Sequence, residues 1–356
     1  MRRIKKHLEI LMLLIFTCTA VVATRADESD RRVKVMTYNM YLGTDLVGIF
    51  QSQSPEELVA EVGEAFSDVQ AGNVPERIDE IADQIATNSP DVVGLQEVAL
   101  WRIGAPFDPS PAETVAFDFL QMLLDRLDAR GAHYAAISIQ NNLDAELTGV
   151  FGPTSALDVR YTDRVVIIAR TDLQTSDLKV EATAASAFQT LLPISILGNT
   201  IYITRGWASA DIKHRGKTYR FVNAHLEAFY DPIQNAQAYE LLLGPTNTQL
   251  PVILAGDFNS DPAINGDSYY LLLSGGFADV WNSLQPSNSG YTWPLSEESP
   301  AAITQPSQRV DYIMARGAVS LSEINVVGED AVNDLTESFL RPSDHAGIKA
   351  TLVLNP

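Results

Sequence analysis

The stretch PVILAGDFNSDP, from Pro251 to Pro262, decides how the chain is read. Val252, Ile253, Leu254 and Ala255, bounded by Pro251 and Gly256, form an apolar run of strand length with no polar face, so both faces should be covered. Pro262 stops any continuation. Asp257 and Asn259 therefore stand at the mouth of a buried strand. Asp261, directly before Pro262, reads as a cap of the following turn rather than a metal ligand.

Working outward, other apolar runs end in the same way. VKVMTYNM (33–40) ends on Asn39, DVVGLQEV (91–98) on Gln96 and Glu97, and KTYRFVNAHLEAF (217–229) delivers His225. RVDYIMAR (309–316) carries Asp311, and the last strand, AGIKATLVL, is introduced by RPSDH with Asp344 and His345. DRVVIIAR (163–170) is a further buried strand, and another is expected near 134–139. Helices are expected over 55–70, from Pro75 onward with Ile78, Ile81, Ala82 and Ile85 on the core face, over about 112–129, and over 231–243. Residues 140–162 show no strong period and read as a long loop. Helices alternate with strands early in the chain, but strands also follow strands, so the sheets should be mixed. No repeat or Gly/Ser-rich linker divides 33–356, which is taken as one catalytic domain.

The 356 residues, 46% apolar and 20% charged, suit a globular fold. Residues 1–23 place Arg2, Arg3, Lys5 and Lys6 before an apolar run and a Val21-x-Ala23 step, which reads as a signal peptide, too short for a comfortable membrane span. A polar linker (24–32) follows. The protein is expected to be secreted or held in the cell envelope; an uncleaved anchor, or lipidation at Cys18, is the lesser reading. Cys18 is the sole cysteine, so the mature chain can form no internal disulfide. The net charge of -20 would become about -23 on cleavage. That balance disfavours a polyanion held by basic patches alone, yet a divalent cation on a carboxylate cluster can neutralise a phosphate locally.

Each polar strand end has an ordinary explanation when taken singly: Asx residues cap turns, a terminal Glu is solvated, a lone His is structural. Together they are harder to dismiss, because strand ends sharing one sheet edge bring distant side chains into one crevice. The set is rich in carboxylate and amide oxygen, with two imidazoles and no thiolate, which suits Mg²⁺, Mn²⁺ or Ca²⁺. Such ions polarise phosphoryl oxygens and help activate water. A histidine oriented by Asp311 or Asp344 could take the water's proton.

The ordered series TYN, LQEV, NAHL, GDFNSDP, RVDYI and SDH resembles the endonuclease/exonuclease/phosphatase superfamily, including its deoxyribonuclease I-like and neutral sphingomyelinase-like members, from about Val33 to Leu354. The resemblance implies an α/β (α+β) fold, a four-layer α/β/β/α sandwich of two packed mixed β-sheets flanked by helices, with the site at one end. It implies that Asn39 and Glu97 hold the catalytic divalent ion, with Asp344 an acid near it. Asp257 and Asn259 would contact the scissile phosphate, attacking water or metal. His225 would stabilise or protonate the phosphoryl centre, and His345 would be the general base oriented by Asp311. The implied activity is metal-dependent hydrolysis of a phosphodiester, nuclease-like or sphingomyelinase/phospholipase C-like. The alternatives are an inositol-phosphate type phosphomonoesterase, or a catalytically silent secreted binding protein on the same fold.

Family membership does not choose the substrate, which could be nucleic acid, phospholipid or a small diester. SAFQTLLPISILGNTIYIT (186–204) reads first as a hairpin buried in the domain and second as an exposed apolar hairpin touching lipid. HRGK (214–217) reads first as a solvated hairpin tip and second as a phosphate contact, and no basic cluster supports a sequence-specific DNA partner. Asp163, Arg164 and Arg205 could also face the cleft, but read first as an ordinary surface ion pair or loop anchors. Tyr41 to Asp45 could shape the pocket, and a monomer is expected.

Overall fold

Side chains alternate across each strand, so a strand buried on both faces must feed two different cores. In the computed structural model, which describes residues 31–264, 266–295, 305–330 and 332–356, that rule generates three apolar cores and four layers. The expected signal peptide (1–23) and nearly all of the expected linker lie outside the described residues.

The chain begins with β1 (Arg32–Asn39), α1 (Val47–Gln51), α2 (Pro55–Ala71), α3 (Val74–Asn88), β2 (Val92–Gln96), β3 (Leu100–Gly104), β4 (Thr114–Asp118) and α4 (Phe119–Ala129). It continues through β5 (Tyr134–Phe151), β6 (Ser155–Arg170), β7 (Leu178–Ala187), β8 (Leu192–Ile196), β9 (Asn199–Ile203), β10 (Gly206–His214) and β11 (Lys217–His225). The last part holds α5 (Asp231–Leu243), β12 (Val252–Asp257), α6 (Asp267–Ser274), β13 (Ala278–Asp279), α7 (Val280–Leu284), β14 (Asp311–Arg316), β15 (Val319–Val327) and β16 (Gly347–Leu354).

One mixed sheet of eight strands has the order β15-β16-β1-β2-β6-β3-β4, with β5 also paired to β6. The second, of six strands, has the order β13-β14-β12-β11-β10-β7. On β1, Met36 and Tyr38 face the core shared with α2, α3 and α4, while Val33 and Val35 face the second sheet. On β12, Ile253 and Ala255 join that inter-sheet core, and Val252 and Leu254 join the core under α5 and α6. The opening run is thus a strand covered on both faces. The architecture is the expected four-layer sandwich.

Helix limits follow from capping. Ser54 accepts from the Glu57 amide at 3.1 Å ahead of Pro55, starting α2. The helix expected from about residue 112 starts at Phe119 instead, because Asp118 caps it by accepting from the amides of Leu120 and Gln121. Residues 114–118 extend the sheet edge as β4. The larger correction concerns 140–162, expected as loop. These residues form most of the β5–β6 hairpin, whose register shifts between Ala136 and Ser138 and again between Asn141 and Asp144. Each bulge switches the face that the next side chains occupy, which erases a period of two.

The 186–204 stretch ends in the β8–β9 hairpin, a two-stranded sheet of its own. Ile196 and Ile203 are buried, while Tyr202 is 56% exposed and Leu197 lies at the exposed tip, so the hairpin is half core and half surface. Among the described residues no helix is long and apolar enough to cross a membrane.

Candidate active site

Three adjacent strands of the smaller sheet set three functional side chains in one row. β11 and β12 run parallel with His225 opposite Asp257, and β12 and β14 run antiparallel with Asp257 opposite Asp311. Gly256 makes this row feasible, because at φ 146° a Cβ there would stand 2.0 Å from the Ala224 carbonyl oxygen. In the larger sheet, β1 and β2 run parallel with Asn39 opposite Gln96, next to Glu97. The two sheets meet where Asn39 Nδ2 donates to Asp257 Oδ2 at 2.9 Å.

The segment bearing Asp344 and His345 is pinned over this junction. Ser343 Oγ donates to the Asn39 carbonyl at 2.8 Å and accepts from the His345 amide at 3.0 Å. His345 Nδ1 lies 2.9 Å from Asp311 Oδ2, which fixes the ring and leaves Nε2 toward Asp257 Oδ2 (3.7 Å) and Asp344 Oδ2 (3.9 Å). Tyr41, Glu97 and Asn259 all have φ near +50° to +60°, a region that costs a side chain energy and recurs at functional sites. All three line a cavity of about 330 Å³.

All eight residues singled out in the sequence converge here. Glu97, His225, Asp257, Asn259, Asp344 and His345 line the cavity, while Asn39 and Asp311 stand behind it, bonded to Asp257 and His345. Tyr41 to Asp45 also shape it, except Gly43. Asp261 accepts from the amides of Ala263 and Arg309, as a turn cap should. Arg164 holds the loop after Glu97 by donating to the carbonyls of Val98 and Ala99.

Asp163 and Arg205 are a correction. They form no surface pair: Asp163 is buried, 3.7 Å from Arg205 Nη1, and both line the cavity. Arg205 Nη1 also donates to His225 Nδ1 at 3.2 Å. Tyr161, whose ring lies on Trp101 with centroids 4.6 Å apart, was missed because it falls in the stretch expected to be loop. Trp293, 6.3 Å from the His345 ring, was missed too.

Burial and crowding of like charge set the protonation of the site. Burial first, then the Asp344 carboxylate, pushes Glu97 up to about 7. Burial and Asp311 push Asp257 up to about 6. His225 is held well below its ordinary value by burial, Arg205 and His345. Burial would lower His345 as well, but Asp311, Asp344 and Asp257 overcome it and raise it well above.

Two observations test whether the residues fit a metal ion. Asp257, Asp311 and His345 offer ligand atoms within 4.8 Å of one another, and Asp311 Oδ1 is buried with no hydrogen-bond partner. Glu97 and Asp344 are half-buried acids on the cavity wall, and the Asp344 carboxylate raises the cost of ionising Glu97, as neighbouring carboxylates do where a cation is to be shared. Because Asp311 Oδ2 is engaged by His345 Nδ1 and Asp311 stands behind the cavity, Glu97 and Asp344 on the wall itself are the ligands an ion in the cavity would meet. The donor set fits a hard divalent cation.

Residues 36–345 match the sequence model of the Endonuclease/Exonuclease/phosphatase family. No curated protein matches the sequence. Among solved structures the fold is similar to an endonuclease/exonuclease/phosphatase family protein from Leptotrichia buccalis C-1013-b (20% identity, 90% of this chain and 99% of that one, TM-score 0.55). It is also similar to the mannosyl-6-phosphatase of Bacteroides thetaiotaomicron VPI-5482 (18%, 90% and 99%, TM-score 0.55). A third similar structure is D. rerio TDP2 complexed with a single-strand DNA product (19%, 91% and 99%, TM-score 0.54).

Proposed function

The chain belongs to the endonuclease/exonuclease/phosphatase family, whose members hydrolyse phosphoester bonds, and on that premise we propose that it is an exported, divalent-metal-dependent phosphodiesterase acting through in-line attack of water. The observation that carries the reading is the buried His345–Asp311 pair, 2.9 Å apart, with His345 at the cavity wall and Asp311 behind it.

Asp311 accepts the Nδ1 hydrogen of His345, so the deprotonated ring presents a lone pair at Nε2 to receive the proton of the attacking water. Asp257 Oδ2, 3.7 Å from that Nε2, orients the water through its second hydrogen. His225 is held between Arg205 Nη1 at its Nδ1 and Asn259 Nδ2 at its Nε2, each 3.2 Å away, which fixes the ring at the cavity wall where it can help stabilise or protonate the phosphoryl centre. A divalent cation held by Glu97 and Asp344, with Asn39 near by, would supply positive charge to the phosphoryl oxygens and offset the carboxylates that keep His345 protonated. Mg²⁺ is the first choice and Mn²⁺ or Ca²⁺ the others.

A diester is favoured over a monoester because the wall carries Asp45, Glu97, Asp163, Asp257 and Asp344 against one guanidinium, Arg205. A second phosphate charge would add to that repulsion. Export is supported by the basic and then apolar opening of the sequence.

The test is hydrolysis of bis-p-nitrophenyl phosphate with Mg²⁺, Mn²⁺ or Ca²⁺. Turnover that disappears with EDTA and returns with the ion is expected. Turnover indifferent to chelation would remove the metal from the account, and a folded protein inert with all three ions would point to the binding-protein alternative.

A further inference from the structure

Beside the proposed phosphate site the protein holds a second chamber of about 70 Å³ with an apolar lining. Its walls come from α1 (Ile49), α2 (Val62), β5 (Ala145, Leu147) and the β8–β9 hairpin (Ile196, Ile201). Leu46, Phe50, Leu143 and Tyr161 line both this chamber and the active-site cavity, so the two adjoin. Among the lining side chains only Trp101 and Tyr161 carry a polar atom, and Trp101 Nε1 is spent on the Leu42 carbonyl at 3.0 Å. Phe50 meets Phe229 edge to face at 6.3 Å, and Phe229, 54% exposed, carries the apolar surface out to the cavity rim.

Interiors are packed to crystal density and leave few voids of this size. One that lies beside a phosphate site and offers no hydrogen-bonding group beyond the Tyr161 hydroxyl suits hydrocarbon, because a sugar or nucleobase placed there would lose most of its hydrogen bonds to water unreplaced. We propose that this chamber is a substrate subsite for an aliphatic chain, and that the enzyme acts on phosphodiesters in which one esterified alcohol is a hydrocarbon chain. The assignment rests on the phosphodiesterase reading above and narrows its substrate class. The β8–β9 hairpin thereby gains a role as one wall of the subsite.

The test uses alkyl p-nitrophenyl phosphates from methyl to hexyl, with Mg²⁺ or Mn²⁺. In each, the water oxygen bonds to phosphorus, the bond to the aryl oxygen breaks, His345 takes the water's proton, and p-nitrophenolate and the alkyl phosphate leave. Burial of successive methylenes should raise kcat/KM by about 3- to 4-fold each until the chamber is full. Ala145→Phe, which fills the chamber from β5 opposite Tyr161, should flatten the series and leave the methyl ester unchanged. Ile201→Ser should weaken only the longer esters.

A binding arm separates this inference from the phosphodiesterase reading. By calorimetry hexyl phosphate should bind at least ten times more tightly than methyl phosphate, and Ala145→Phe should abolish the difference. Equal binding of the two, or a flat kinetic series with an active enzyme, overturns the subsite. An inert enzyme that still prefers hexyl phosphate keeps the subsite and sinks the phosphodiesterase reading. Running the series as monomers and in phosphatidylcholine vesicles tells whether the chain is drawn from solution or from a lipid surface; a chain-length advantage in either supports the subsite.

Discussion

His345 acquires a defined role from a single carboxylate. Asp311 is fully buried, accepts from Nδ1, and so dictates which ring nitrogen faces the cavity. Asp311→Asn keeps the size but can turn an amide donor toward Nδ1, which moves the ring hydrogen to Nε2 and blocks proton uptake. A fall in kcat of roughly 10²- to 10⁴-fold, with KM and circular dichroism near normal, is expected; a kcat within threefold of the parent would deny the orienting role. At this scale the sequence was most legible where a polar residue closes an apolar run, as at Asn39, Glu97, His225 and Asp257. Asp163 and Arg205 stood only second as cleft residues, because what makes them site residues is their meeting, across 42 positions of chain, beside His225.

Elements were legible where burial is uniform and illegible where the register shifts. β12, buried at every position, needed only its apolar run, and α5 matches its expected limits at Asp231 and Leu243. The β5–β6 hairpin stayed hidden because its bulges break alternation, and Tyr161 stayed hidden with it. One polar contact between sheets was equally hidden. Asn223 of β11, fully buried, donates to the carbonyls of Leu95 and Val166 at 2.9 Å each and accepts from Gln96 Nε2. Gly94 gives it room, since a Cβ there would stand 2.7 Å from the Asn223 carboxamide. Asn223→Ala and Gly94→Ala should each cost about 1–3 kcal/mol, read by urea denaturation. A loss below about 0.5 kcal/mol in both would show that the sheets do not depend on this contact.

For the whole molecule, the four layers followed from which faces the strands bury, and the site followed from where the two sheets meet. That meeting couples stability to pH and metal. Glu97 at about 7 and Asp257 at about 6 bind protons in the folded state that the unfolded chain, at its ordinary carboxylate values, has released. Their effect is stability that falls as pH rises through about 4 to 7. His345, raised, continues the fall above its ordinary value, while His225, lowered, opposes it only up to about 6.5. Exposed carboxyls held low by arginine partners, such as Asp144 beside Arg160 and Asp172 beside Arg170, lose their contribution only below about 4. Without divalent ions the Tm should therefore drop from pH 5 to pH 8, and Mg²⁺ or Mn²⁺ should raise it most at pH 8. A metal-free Tm that climbs over this range would contradict the protonation pattern.

The most direct measurement is kcat for bis-p-nitrophenyl phosphate with saturating Mg²⁺ or Mn²⁺ in the parent chain and in His345→Ala. The account predicts a loss of about 10²-fold or more with an unchanged fold and retained metal binding. Near-parental turnover in His345→Ala would contradict it.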